Sequence, residues 1–293
     1  MRKNFAVPAV FFVLVIAAAV HHFVKKTPSE IKPFGKVKEV VSIKISDFSK
    51  NESYTLAKKD GKWLVNTSTS YIADASKVDN LSDKIQDLKF ETVISETKEK
   101  HFEYSVSSQN AISVLAGTHR NVSLPEIYIG KAGADYAHFY ARFRKKPQVY
   151  LASGFSRYEV TRPAKFFRDR KIADIPEEDI KSVSISDTER SYTVERSTAG
   201  WIFQGDKPEG FDGAMQLCRT MSAFDFSDAG IQDFKPLQKI NITKISGEIF
   251  EWHIGQKVEN FYLAERTGRN DIYKISSGQA EKIVKFFEKN SRE

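Results

Sequence analysis

The sequence predicts an α+β chain in which an N-terminal transmembrane helix precedes two tandem, duplicated β-rich lobes with antiparallel sheets. Three observations carry this expectation. The stretch Ser53–Val65, SYTLAKKDGKWLV, recurs as Ser191–Phe203, SYTVERSTAGWIF. Landmarks on either side of it recur in the same order. Phe5–Val24, FAVPAVFFVLVIAAAVHHFV, is almost wholly apolar.

Taken in order, the short basic start and Phe5–Val24 read as an anchor over residues 1–26. Twenty helical residues span about 30 Å, the thickness of a bilayer core. Pro8 falls in the first turn, where proline is tolerated, and Arg2 and Lys3 favour a cytoplasmic N-terminus. Ala17-Ala18-Ala19 resembles a signal-peptidase site, so a cleaved signal is the alternative. Either way the rest of the chain is expected to be exported; with the anchor kept, it is the bulk of a single-pass inner-membrane protein in the periplasm or extracytoplasmic space. Residues 27–37 hold Pro28, Pro33 and Gly35 and read as a linker.

The first lobe is expected over residues 38–172. Val40–Ile45 alternates as a strand, and Tyr54–Ala57 with Trp63–Val65 reads as a hairpin anchored by its two large aromatics. Asp74 is placed to cap a helix carrying Val78, Leu81, Ile85 and Leu88 at helical spacing. An irregular passage, Ser95–Ser108, precedes four short strands at Ala111–Leu115, Glu126–Ile129, Phe139–Phe143 and Val149–Leu151. Gly130, Gly133 and Pro147 fall between them as turn residues, and Ala164–Arg168 closes the lobe as a short helical element.

A second lobe over residues 173–293 repeats this plan. DIKSVSISD at 179–187 matches VVSIKISD at an offset of 140, and the hairpin recurs at 138. Asp212 matches Asp74, and Ala214, Leu217, Met221 and Phe224 supply a second stripe. IYIGK matches WHIGQ, Phe139-Tyr140 matches Phe261-Tyr262, and AKFF matches VKFF at 284–287. The offset falls from 140 to 120 along the chain, as deletions in loops produce while order is kept, and two copies are too few for a solenoid. The matched residues are mostly Tyr, Trp, Phe, Ile and Gly, which speak of core and backbone rather than chemistry. Of the polar matches, Asp47 and Asp187 read as strand-end turns, and Asp74 and Asp212 as helix caps.

Composition narrows the function classes. An apolar share of 41% argues for real cores and against disorder. Residues 25–171 hold 27 Lys and Arg against 17 Asp and Glu, whereas residues 172–293 hold 16 against 21. A basic lobe beside an acidic one suits an anionic lipid surface, and the sequence carries none of the usual nucleic-acid signatures. The single cysteine, Cys218, allows no intramolecular disulfide and sits on the apolar side of a predicted helix, as a buried thiol.

In this order, the strand VVSIKI, KKDGKWLV, the aspartate of YIADASKVDNL, IYIGK, FYARF, VYLAS and the run AKFFRDRKIADIPEEDIKSVSI resemble the bacterial family of domain of unknown function 4340. The resemblance covers nearly the whole chain from Val37. It implies a membrane-tethered envelope protein; relatives stand beside ATP-binding-cassette transporters, gliding-type systems included, as auxiliary extracytoplasmic parts. It carries over no catalytic residues.

No catalytic, cofactor or metal site is expected. The six histidines show no zinc-ligand spacing, GKAGAD at 130–135 lacks the strand–loop–helix context of a phosphate loop, and Gly154–Tyr158 lacks the second glycine of a nucleophile elbow. Glu177-Glu178-Asp179 reads as a solvated charge cluster. One constellation keeps functional weight: Arg142, Arg144, Lys145 and Lys146 in FYARFRKKPQ, followed by Arg162, Arg168 and Arg170. The matching stretch FYLAERTGRNDIY is far less basic, so these cations are candidates for contact with anionic lipid or an acidic partner. The expectation is a non-enzymatic binding or scaffold protein of an envelope transport or motility complex, with partners such as a transporter permease. A solute- or glycan-binding module is the alternative, and an envelope hydrolase a third reading.

Overall fold

The structure is a computed structural model that describes residues 32–33, 39–119, 123–198, 200–203, 210–228 and 230–291. The expected transmembrane helix at Phe5–Val24, and with it the choice between anchor and signal, lies outside the described residues. Among these, no helix is long and apolar enough to cross a membrane. Of the expected linker only Lys32–Pro33 is described, as the two-residue strand β1.

The first half forms β2 (Val40–Asp47), β3 (Glu52–Lys59), β4 (Lys62–Asn66), β5 (Ser70–Ile72), α1 (Ala75–Gln86) and β6 (Lys89–Ser95). It continues with β7 (Ile112–Thr118), β8 (Ile127–Ala132), β9 (Phe139–Phe143) and β10 (Val149–Ser153). The second half forms β11 (Ile180–Ser186), β12 (Ser191–Ser197), β13 (Gly200–Ile202), α2 (Phe211–Arg219) and β14 (Asp225–Phe226). It ends with β15 (Pro236–Lys244), β16 (Ile249–Val258), β17 (Phe261–Arg266), β18 (Ile272–Ser276) and α3 (Ser277–Asn290). The architecture is α+β, with two antiparallel sheets. Their strand orders are β1-β6-β10-β9-β8-β7-β2-β3-β4-β5 and β13-β12-β11-β15-β16-β17-β18-β14. The described chain divides into two compact units: one takes the residues up to Ser53 with Asn80–Arg162, the other Tyr54–Asp79 with Pro163–Glu293.

Local chemistry accounts for the hairpin. Asp60 (φ 50°) and Gly61 (φ 77°) both adopt positive φ, and Lys59 pairs with Lys62 across the tip. Two consecutive left-handed residues make the turn whose twist suits paired strands. Tyr54, Trp63, Tyr192 and Trp201 are all buried, as expected of core anchors. Each indole finds an acceptor: Trp63 Nε1 donates to Asp79 Oδ1 at 2.8 Å, and Trp201 Nε1 to Glu177 Oε1 at 3.2 Å. Glu177, expected as part of a solvated cluster, therefore has a structural role.

Helix α1 follows its pattern, with Val78, Leu81, Ile85 and Leu88 all buried. Asp74 Oδ1 accepts from Ser76 Oγ at 2.6 Å and from the Lys77 amide at 3.4 Å, which caps the first turn. The second stripe needs correction. Helix α2 stops at Arg219, its buried face is Phe211, Ala214, Met215 and Cys218, and Phe224 is half exposed beyond it. Its N-cap is Gly210, so Asp212 lies inside the first turn and is not the cap. Asp47 and Asp187 act as read, each Oδ1 accepting backbone amides two and three residues on.

Gly130 is also corrected. It lies within β8, not in a turn, at a shift in the β8–β9 register. A Cβ there would stand 2.1 Å from the carbonyl oxygen of Tyr104, so the overlying segment admits only glycine. Gly255 holds the corresponding place in β16, again at a register shift, with the Phe234 ring 2.3 Å from where a Cβ would be. AKFF forms a short 3₁₀ turn, Ala164–Phe167, whereas VKFF lies in the long helix α3. Strand β6 is unforeshadowed because its alternation buries only Phe90.

Candidate functional site

The basic constellation is built from β9, the turn after it, and the strands around it. Arg142 points inward and is buried. Its Nε donates to Val106 O at 2.6 Å, and its Nη1 to Arg144 O at 2.8 Å, Phe143 O at 3.2 Å and Lys146 O at 3.3 Å. Its guanidinium lies 4.5 Å from the Tyr128 ring centre, and burial lowers its pKa from the ordinary arginine value. The side chain thus binds the carbonyls of the turn from below. That fixes the turn's shape and leaves Arg144, Lys145 and Lys146 on its outer side.

Those three are exposed. Arg144 Nη1 donates to Glu126 Oε2 at 2.8 Å, while Glu126 Oε1 accepts from Ser113 Oγ at 2.6 Å. Both carboxylate oxygens are therefore engaged. Lys146 Nζ lies 5.4 Å over the Phe143 ring, and Phe143 itself stacks on Phe90 at 4.5 Å. Beneath these cations is a cavity of about 710 Å³ with Leu115, Leu124, Pro125 and Phe143 among its lining. Its cationic edge was legible in the sequence. Its apolar floor was not, because those residues come from separate strands and a loop with no shared motif.

The other candidates are placed differently. Arg162 Nη1 donates to Tyr158 OH at 3.0 Å, and its guanidinium stacks 3.9 Å from that ring. Arg168 belongs to the second unit, between the Tyr71 ring at 3.7 Å and the Phe226 ring at 4.0 Å, with its Nε donating to Asp271 Oδ1 at 2.7 Å. Arg170 is exposed in the same unit. Four of the seven cations thus lie in β9 and the turn that follows it, and three of those four face solvent.

No group of His, Cys, Asp and Glu able to hold a metal ion occurs among the described residues. Cys218 is fully buried, and burial pushes its thiol up to about 12, away from any nucleophilic role at neutral pH. Ser156 caps a 3₁₀ turn through Tyr158 N, and Arg157 Nε donates to Gly130 O at 2.5 Å, so the Gly154–Tyr158 segment is built for structure.

One titratable group stands out in the first unit. His138 lies between Asp135, against Nδ1, and Glu91, 3.2 Å from Nε2, and Glu91 also accepts from Ser153 Oγ. The hydrogen bond to Asp135 raises the imidazole pKa above its ordinary value. The stabilisation this gives is full below the ordinary histidine pKa and is lost as pH rises through the elevated one. Asp135→Asn is expected to return the His138 titration, followed by NMR of the ring protons, toward about 6.5. An unmoved midpoint counts against the pairing.

A family model described as a domain of unknown function, DUF4340, matches residues 63–236. Neither a search of curated proteins nor one of solved structures finds a match.

Proposed function

We propose a role for a chain that belongs to the family of the domain of unknown function DUF4340: a membrane-anchored extracytoplasmic protein that binds or braces other components of an envelope transport or motility complex, without catalysis of its own. The observation that carries this reading is the exposed turn Arg144–Lys146, whose carboxylate neighbour Glu126 is already doubly engaged, which leaves a net cationic face for an anionic surface. The apolar stretch Phe5–Val24 supports the tether, because its length suits a bilayer.

The proposal includes a duplicated origin for the fold. In support, the run β10-β9-β8-β7-β2-β3-β4 corresponds strand by strand to β18-β17-β16-β15-β11-β12-β13. Gly130 and Gly255 occupy equivalent register shifts, each overlaid by a crossing segment. Two copies of a structural module, matched in core residues and unmatched in surface charge, suit a pair of lobes that have diverged in what they contact.

A second reading, ligand binding for delivery to a transporter, is favoured by the cavity of about 710 Å³, a size within the range of small-molecule sites. Crosslinking of the full-length chain in its membrane, pull-down and mass spectrometry separate the two. The scaffold reading expects envelope subunits such as a transporter permease in the wild-type sample. It also expects loss of about tenfold or more of that recovery when Arg144, Lys145 and Lys146 are all changed to Glu, as reversal of clustered contact charges implies. A wild-type chain recovered alone beside a working control overturns it.

A further inference from the structure

We infer that the cavity under the Arg144–Lys146 turn is the acyl-chain site of an anionic phospholipid, with the headgroup phosphate held by Lys145 and Lys146. This deepens the membrane-side reading above and rests on its tether. The lining divides into two chemistries. Leu115, Leu124, Pro125 and Phe143 present apolar surface without full burial, while the three consecutive cations Arg144, Lys145 and Lys146 also line the cavity. Leaving such an apolar lining in water is unfavourable at roughly 25 cal/mol per Å², so an apolar occupant is stabilised there.

Charge selects the class of occupant. Glu126 is the carboxylate in the lining, and its two oxygens are taken by Ser113 and Arg144. Its charge is offset by the paired Arg144 guanidinium, which lowers its repulsion of a phosphate. The Lys146 ammonium stands over the aromatic floor, 5.4 Å from the Phe143 ring centre, and so joins the apolar and cationic parts. A polar solute would leave the floor unused, and an acidic peptide would use the charge alone. An amphiphile with an anionic head uses both.

The second half shows what the same place looks like without this arrangement. Arg266, the counterpart of Arg144 in the sequence match, lies 4.4 Å over the Phe250 ring, and Arg269 Nη1 donates to Asp169 Oδ2 at 3.0 Å. Those cations are spent inside the fold. Lys145 and Lys146 are not, and each lysine near an anionic headgroup contributes to membrane attraction.

The test labels the full-length chain, in membranes, with phosphatidylglycerol carrying a diazirine on its acyl chain, and maps the adducts by peptide mass spectrometry. Adducts are expected on segments holding Leu115, Leu124 and Phe143 as well as on Phe5–Val24. Lys145→Glu with Lys146→Glu should cut the cavity adducts by about thirtyfold or more, the scale of two lysines lost from a lipid surface, and leave those on Phe5–Val24 unchanged. A phosphatidylcholine probe should label the cavity weakly. Adducts confined to Phe5–Val24, or cavity labelling indifferent to headgroup and to both lysines, overturn the proposal. If the cavity stays unlabelled while the triple Glu variant loses a protein partner in the pull-down, the occupant is an acidic subunit: the lipid site falls and the scaffold reading stands. Cavity labelling with no envelope partner recovered has the opposite meaning.

Discussion

Arg168→Ala is expected to cost about 3–5 kcal/mol of folding stability at neutral pH, the scale for removing one partner of a buried ion pair. Asp271 is fully buried, and Arg168 is its ion-pair partner through both Nε and Nη2. The guanidinium also fills the gap between Tyr71 and Phe226, so truncation removes packing as well as charge. Without it, Asp271 keeps a buried carboxyl whose Oδ2 already has no hydrogen-bond partner among the described residues.

The pH dependence has a definite sign. Burial raises the Asp271 carboxyl above the ordinary aspartate value even with Arg168 opposing it, and removal of Arg168 raises it further. A carboxyl with a raised folded-state pKa binds more protons folded than unfolded in that window, so its contribution falls as pH rises through it. The deficit of Arg168→Ala relative to wild type should therefore shrink as pH is lowered toward the ordinary aspartate range. Denaturant unfolding at several pH values measures this. The double variant Arg168→Met with Asp271→Leu should recover much of the loss, since apolar replacement of a buried pair is often neutral. A single variant within about 1 kcal/mol of wild type, the scale of an exposed pair, would remove the argument.

Trp252→Ala is expected to cost about 3–5 kcal/mol, as for other large aromatic truncations in a packed core. Trp252 is fully buried in the second-unit core, and its Nε1 donates to Cys218 O at 3.0 Å. That carbonyl belongs to the last turn of α2, where the helix itself supplies no amide. The indole therefore joins β16 to the end of α2 in addition to filling volume. Trp252→Phe keeps much of the volume and loses the donor, so its expected cost is about 1–3 kcal/mol for a stranded acceptor. Thermal unfolding followed by far-ultraviolet circular dichroism ranks the two. A Trp252→Phe midpoint equal to that of wild type would mean that the hydrogen bond contributes nothing.

Much of this fold is legible along the chain because its signals are local. The Asp60-Gly61 turn, the aromatic pairs of the two hairpins, the Val78–Leu88 stripe and the Asp74 cap each depend on residues within a few positions. The collinear landmarks carry the expectation of two related lobes from the order of residues alone. Strand β6 escaped because one buried Phe in seven residues leaves no period to read. The end of α2 escaped because Met221 and Phe224 continue the helical spacing after the backbone has turned away. Gly130 reads as a turn residue in the sequence because its role depends on Tyr104, in a distant segment that crosses over it.

The basic turn shows the same division. Composition alone determined that this lobe is cationic and that Arg142, Arg144, Lys145 and Lys146 cluster in it. Only the tertiary structure decided which of them face solvent. Arg142 is spent on Val106 and the turn carbonyls, Arg168 on Asp271, and Glu126 accepts from Ser113 and pairs with Arg144. Sequence spacing reports which residues share a strand or a helix face. Burial, pairing and the apolar floor under a charge depend on which distant segments meet, and that is set by packing of the whole chain.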